Sequence, residues 1–283
     1  MKRRTFLKTT SAGLFAGMLM PQKISALPVP LSRNIGLQLY SLRNEIKEDL
    51  EGSLKKIADI GYYNLEAAGY SNGKFYGLEP ATFKDLVQNF GMKVISSHLT
   101  FEGDEVQTVL KAHKEAGIKY LVWPGLDKKQ WNSPEKYKEL AEKFNTAGEF
   151  CKENDLQFGF HNHDFEFYPL EGEIPYDILL EYTNPDLVFM QIDLYWITYA
   201  GHDPLKYFEK YPGRFKLWHV KDMKAGDEKE MTEVGSGIID YKTIFENSAR
   251  AGMKEFFVEQ DVIKTNAFDS IKTSFDYLDN ILS

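Results

Sequence analysis

The chain has 283 residues, 43% hydrophobic and 14% aromatic, with a formal net charge of −8. That length and apolar content suit one large core and exclude a disordered or low-complexity chain. The acidic balance excludes non-specific nucleic-acid binding, which rests on Lys and Arg neutralising phosphates. A single cysteine, Cys151, excludes an internal disulfide; its place in a helical pattern predicts a buried, inert thiol.

The chain opens on Met1-Lys2-Arg3-Arg4-Thr5-Phe6-Leu7-Lys8, a basic start with a twin arginine. An apolar run from Ala12 to Met20 follows, and Ile24-Ser25-Ala26 ends in a small residue suited to cleavage. The run is too short to span a bilayer, so residues 1–26 are predicted to be an export signal. Arg3-Arg4-Thr5-Phe6-Leu7-Lys8 resembles a twin-arginine signal, with Lys2 where Ser or Thr usually precedes the pair. Its removal takes away five basic residues and no acid, moving the formal net charge from −8 to −13. A periplasmic protein is expected, with no lipoprotein cysteine and no membrane attachment once the signal is gone.

Residues 27–33, with Pro28 and Pro30, read as a linker, and residues 34–283 as one domain. Strand-like runs begin near Ile35, Tyr62, Lys93, Lys119, Gln157, Leu187, Phe215 and Glu255. Between them lie amphipathic stretches with apolar residues at helical spacing: Leu50–Ile60, Thr82–Phe90, Val106–Ala116, Glu135–Lys152 and Tyr241–Ala251. Gly61, Gly91, Gly117 and Gly252 punctuate several helix ends. Eight strand–helix units predict an α/β fold of the (β/α)8 TIM-barrel type. An open doubly wound sheet is the alternative, but no Gly-rich dinucleotide loop follows the first strand. Long connections at Gly69–Pro80, Asp164–Pro175 and Asp222–Gly237 fall on the barrel mouth, where loops build substrate pockets.

Three strand-like runs end in metal-ligand side chains: Gln191-Ile192-Asp193, Leu217-Trp218-His219 and Phe257-Val258-Glu259, spaced 26 and then 40 residues apart. A fourth, Phe158-Gly159-Phe160-His161-Asn162-His163, sets His161 32 residues before Asp193. Strand alternation sends Gly159, His161 and His163 one way and Phe158 and Phe160 the other, toward the helices. The same parity joins His219 with Lys221, Gln191 with Asp193 and Glu259 with Asp261. A lone histidine on an apolar strand is usually a core residue. Ionisable groups at the ends of four successive barrel strands need pairing or a metal to offset the cost of burial.

Phe160-His161-Asn162-His163-Asp164-Phe165-Glu166-Phe167, Gln191-Ile192-Asp193-Leu194-Tyr195-Trp196, Trp218-His219-Val220-Lys221-Asp222-Met223 and Phe257-Val258-Glu259-Gln260 together resemble the sugar phosphate isomerase/epimerase family of xylose isomerase-like barrels. The resemblance spans residues 34–283 and implies one divalent metal held by Glu, Asp, His and Glu from the fifth to eighth strands. Asp193, His219 and Glu259 match. On the fifth strand His161 stands where the family has Glu, with Glu166 the alternative fourth ligand; this departure weakens a two-glutamate epimerase mechanism. Mn2+, Zn2+, Mg2+ and Co2+ all accept such a mixed site, and the second histidine favours Mn2+ or Zn2+.

A metal-bound carbonyl would yield its adjacent proton to form an enediolate. Glu259 is the expected base as well as a ligand, His161 or His163 the partner acid, and Lys221 the cation that steadies the oxyanion. His98, Glu66, Gln38 and Tyr40 are expected to meet substrate hydroxyls. Trp196, with Trp123 and Tyr195, is expected to stack on a sugar face, although aromatics at strand ends are more often core. Free sugar phosphates are cytoplasmic, and no Gly-rich phosphate loop with Lys is visible, so the expected substrate is a small unphosphorylated sugar or keto-glycoside. The expected activity is that of an isomerase, epimerase or 3-keto-glycoside lyase or hydratase. A non-catalytic periplasmic sugar-binding barrel is the alternative. An endonuclease of the same barrel type would need a multi-metal cluster and a basic face.

Overall fold

The computed structural model describes residues 34–283; the expected export segment 1–26 and linker 27–33 lie outside the described residues. Eight strands form a closed parallel barrel: β1 (Gly36–Gln38), β2 (Asn64–Ala67), β3 (Lys93–His98), β4 (Tyr120–Trp123), β5 (Gln157–His161), β6 (Val188–Asp193), β7 (Leu217–Val220) and β8 (Glu255–Val258). They follow one another around the barrel in chain order, and β8 closes on β1 through Gly36 opposite Phe257. The strands begin within two residues of where the sequence puts them. The (β/α)8 barrel is therefore the fold.

The larger outer helices are α1 (Leu50–Ile60), α2 (Pro80–Asn89), α3 (Val106–Glu115), α4 (Pro134–Glu153), α5 (Pro175–Tyr182), α6 (Pro204–Lys210), α7 (Tyr241–Glu246) and α8 (Ala267–Leu282). Their starts are fixed locally. Asp49 caps α1 by accepting from the Gly52 amide at 2.9 Å, and Asn266 caps α8 through the Phe268 and Asp269 amides. The predicted helix over Tyr241–Ala251 breaks at Asn247 into α7 and a turn over Ser248–Ala251. Two of the long mouth connections fold back as small hairpins, Tyr70–Ser71 with Lys74–Phe75 and Asp222–Met223 with Met231–Thr232.

The parity expected of β5 holds. Phe158 and Phe160 face outward and pack on Phe144 of α4 with ring centroids 5.4 and 5.3 Å away. Cys151 is buried on the same helix. Inside the barrel, Tyr120, Val122, Phe189, Leu217 and Phe257 form a separate apolar cluster beneath the polar residues of the mouth. Gly159 makes room for it, since a Cβ there would lie 2.3 Å from the Phe189 ring. The β2–β3 register shifts between Leu65 and Glu66, so a bulge sets the direction of Glu66 as the strand reaches the mouth.

Candidate active site and metal centre

The inward residues at the strand ends converge. Ligand atoms of His161, Asp193, His219 and Glu259 all lie within 4.8 Å of one another, and all four residues are buried. His161 and Asp193 end their strands, His219 is the residue before the end of its own, and Glu259 follows the last residue of β8. Asp193 also shapes the chain locally, because its Oδ1 accepts from the Tyr195 and Trp196 amides and caps the turn of helix Leu194–Tyr199. Its own amide donates to Asn162 Oδ1 at 3.0 Å. This bracing turns Oδ2 into the cluster, where it meets the Lys221 ammonium at 3.0 Å.

His219 lies between two carboxylates. Its Nδ1 donates to Glu259 Oε2 at 2.6 Å and its Nε2 to Glu66 Oε2 at 2.5 Å. Burial pushes the imidazole down, but Glu259 and Glu66 outweigh it and lift His219 to about 10. Burial likewise opposes the charge on Glu66, yet His98 and His219 hold it at about 2. Glu66 also accepts from Gln38 Nε2 at 2.8 Å, Ser96 Oγ at 2.5 Å and Gln191 Nε2 at 2.7 Å. Gln191 passes the network to His98, whose Nε2 lies 2.6 Å from Gln191 Oε1.

Lys221 is the second cation. Its Nζ stands 2.6 Å from Glu259 Oε2, 3.0 Å from Asp193 Oδ2 and 2.9 Å from Asp261 Oδ2. Burial alone would strip its proton; these carboxylates instead hold Lys221 well above the ordinary lysine range. The same surroundings keep Glu259 well below the usual carboxylate range against its burial, through Lys221 and His219. Burial, with the cations His219 and Lys221 nearby, lowers His161, and burial with Lys221 brings His163 to about 4. Neutral imidazoles thus stand beside charged His219 and Lys221.

A cavity of about 440 Å³ opens over this floor, lined by His98, His161, His163, Trp196, Lys221 and Glu259, with Tyr40 at its rim. Gln38 and Glu66 are fully buried beneath it rather than lining the cavity: Glu66 holds His219, and Gln38 holds Glu66. Trp123 and Tyr195 are not part of its wall. Glu166 is not among the converging ligand atoms: its Oε2 accepts from the His163 amide at 2.9 Å, and burial pushes its carboxyl up to about 8. The fifth-strand position is held by His161.

Sequence reasoning gave no role to three residues that build this site. Asn162 positions Asp193, and Gln191 joins Glu66 to His98. Asp222 accepts from the amides of Met223, Gly235, Gly237 and Ile239, pinning the loop after β7. The Gly235 and Gly237 amides within a long loop were a readable signal for an acceptor.

The donor types fit a divalent cation: two imidazoles and two carboxylates suit Mn2+ or Zn2+ once His219 gives up the proton it donates to Glu259 or Glu66, and the buried His161 Nδ1 lacks a hydrogen-bond partner. The ammonium of Lys221 already faces both carboxylates, so an ion there would share them with it or displace it.

A family model for the xylose isomerase-like TIM barrel matches residues 54–280. An inosose dehydratase from Lacticaseibacillus casei is 27% identical over 252 residues, covering 80% of each chain. A solved sugar phosphate isomerase/epimerase from Parabacteroides distasonis is 29% identical, with TM-score 0.78, covering 93% of this chain and 100% of its own. The IolI protein, solved with a bound zinc atom, shares the fold at 14% identity and TM-score 0.69, covering 88% of this chain and 98% of its own.

Proposed function

Because this chain belongs to the xylose isomerase-like TIM barrel family, we propose that it is a carbohydrate-modifying enzyme that removes a proton beside a carbonyl. The observation that carries this reading is the meeting of His161, Asp193, His219, Glu259 and Lys221 at the floor of the mouth cavity. The inosose dehydratase relative favours a dehydratase or lyase outcome over simple isomerisation. A divalent metal held by His161, Asp193, His219 and Glu259 would supply Lewis-acid polarisation of the carbonyl.

The residues supply the remaining chemistry. Glu259 is engaged by His219 and Lys221 and is a weak base in this arrangement. The neutral His163 lines the cavity and stands outside the metal donor set, so it is better placed to take the proton. The C–H electron pair moves into a carbon–carbon double bond while the carbonyl oxygen gains the negative charge. Lys221 faces that oxyanion. When the charge collapses back, a hydroxyl or glycosidic oxygen on the next carbon leaves, taking the proton from the imidazolium. The products are an unsaturated ketone and water or an alcohol. Return of the proton to the carbon would instead give an epimer.

Residues 1–26 are taken as an export signal, so the preferred substrate is an unphosphorylated sugar or keto-glycoside met in the periplasm. The test is proton NMR in D₂O with 3-keto-glucoside and with inosose, first with Mn2+ and then with EDTA. Metal-dependent loss of the signal beside the ketone, with an alkene signal from the lyase product, is expected. No exchange with any keto-sugar, by protein shown to bind Mn2+, would leave a sugar-binding barrel as the better reading.

A further inference from the structure

A second cavity of about 440 Å³ adjoins the first, and Tyr40 and Ala68 line both. Tyr40 is 44% exposed, an uncovered aromatic at the seam between the two spaces. The far wall is formed by Leu39, Ile46 and Tyr76, and its charged side by Arg43 and Lys47. These two cations stand four residues apart on the short helix Arg43–Glu48 and therefore share a face. Arg43 is held in place: it donates to Tyr40 O at 3.0 Å and Asp261 O at 2.9 Å, and its guanidinium lies 4.5 Å over the Tyr40 ring.

Neither cation has a carboxylate from the described residues to neutralise it. Among the described residues, no ion pair within 4.0 Å involves Arg43 or Lys47, and the nearby Asp261 carboxylate is taken by Lys221 at 2.9 Å. Two donors of Arg43 are used by backbone carbonyls, leaving others of its five for a ligand. A guanidinium and an ammonium without a carboxylate partner, beside an exposed tyrosine and in a space adjoining a sugar-sized cavity, suit a second sugar ring bearing a negative charge. The ring would stack on Tyr40, and its carboxylate would meet the planar fork of Arg43 with Lys47 alongside.

We propose that the Tyr40–Arg43–Lys47 cavity is a subsite for the second unit of the substrate, and that this unit is an acidic sugar. The substrate class then becomes a glycoside of a uronic acid. The inference rests on the sugar-site reading given above.

Calorimetry on the mature protein in about 20 mM salt would compare cellobiose, cellobiouronic acid and glucose 6-phosphate. Cellobiouronic acid is expected to bind about tenfold more tightly than cellobiose, because charge-assisted bonds are roughly twice as strong as neutral ones. The advantage should shrink in about 0.5 M salt as screening shortens the reach of the charges. Lys47→Glu, at an exposed position, should bring the ratio near one with an unchanged melting temperature. Arg43→Lys, which keeps the charge but loses the fork, should leave a partial preference. Equal binding of the two disaccharides, in protein that still exchanges the α-proton of a keto-glucoside, would overturn the subsite and leave the sugar-site reading standing. A Lys47-dependent gain seen with glucose 6-phosphate alone would overturn the uronate and make the anion a phosphate. No binding by any of the three, together with no exchange, would overturn both readings.

Discussion

Replacing Glu66 with Gln tests the buried network beneath the cavity without touching the cavity wall. His219 rises from its ordinary 6.5 to about 10 with one carboxylate on each ring nitrogen. At about 1.4 kcal/mol per unit, that lift is worth roughly 5 kcal/mol. Glu66 provides one of the two carboxylates, so losing its charge should cost about 2–3 kcal/mol at pH 7.5. For a domain of this size that is about 5–10 °C in Tm. The sign with pH follows from the raised imidazole. Its contribution is complete below about 6.5 and is lost as pH rises through about 10. In Glu66→Gln the folded-state value falls, so the alkaline loss should still begin near 6.5 but end about two units lower. Glu66 itself, held at about 2, contributes stability above its ordinary 4.5, lost as pH falls through 2. Thermal melts from pH 6 to 11, with the His219 ring proton followed by NMR, would read both effects. A Tm within 1 °C of the parent, or an unchanged alkaline limb, would refute the carboxylate–imidazole–carboxylate argument.

Three further outcomes follow from the geometry. Gly159→Ala should cost about 1–3 kcal/mol by overpacking against Phe189; a melt with no loss would mean the barrel interior has slack there. Asp222→Asn should cost about 2–3 kcal/mol, because four amides lose a charged acceptor, and limited proteolysis should then cut within residues 224–235. Lys221→Met should destabilise the metal-free protein by about 3–5 kcal/mol by leaving Asp193 without its paired ammonium and Glu259 with His219 alone. Added Mn2+ should restore much of that Tm, and EDTA should reverse the gain; a stable variant that ignores Mn2+ would count against both roles.

The fold was legible because an eight-unit alternation with apolar strands admits few architectures. Strand parity also placed the pairs His219 with Lys221 and Gln191 with Asp193 on the inner side. What stayed hidden was contact across long separations. Glu66 meets His219 over 153 residues of sequence, and no local pattern distinguishes a carboxylate that anchors an imidazole from one that greets a substrate. Glu166 illustrates the reverse problem. It lies close to His161 in sequence, but the turn after β5 directs it back to the His163 amide. Lys221 was readable as a cation at the mouth; its three carboxylate neighbours come from other strand ends and appear only once the barrel closes.

The apolar cluster of Tyr120, Val122, Phe189, Leu217 and Phe257 makes the barrel a vessel with a sealed base. Substrate, product and water must all pass through one neck. On the proposed reaction, a hydrogen taken from the sugar's carbon can reach bulk water only by the way the sugar entered, so exchange with solvent and release of product share one opening.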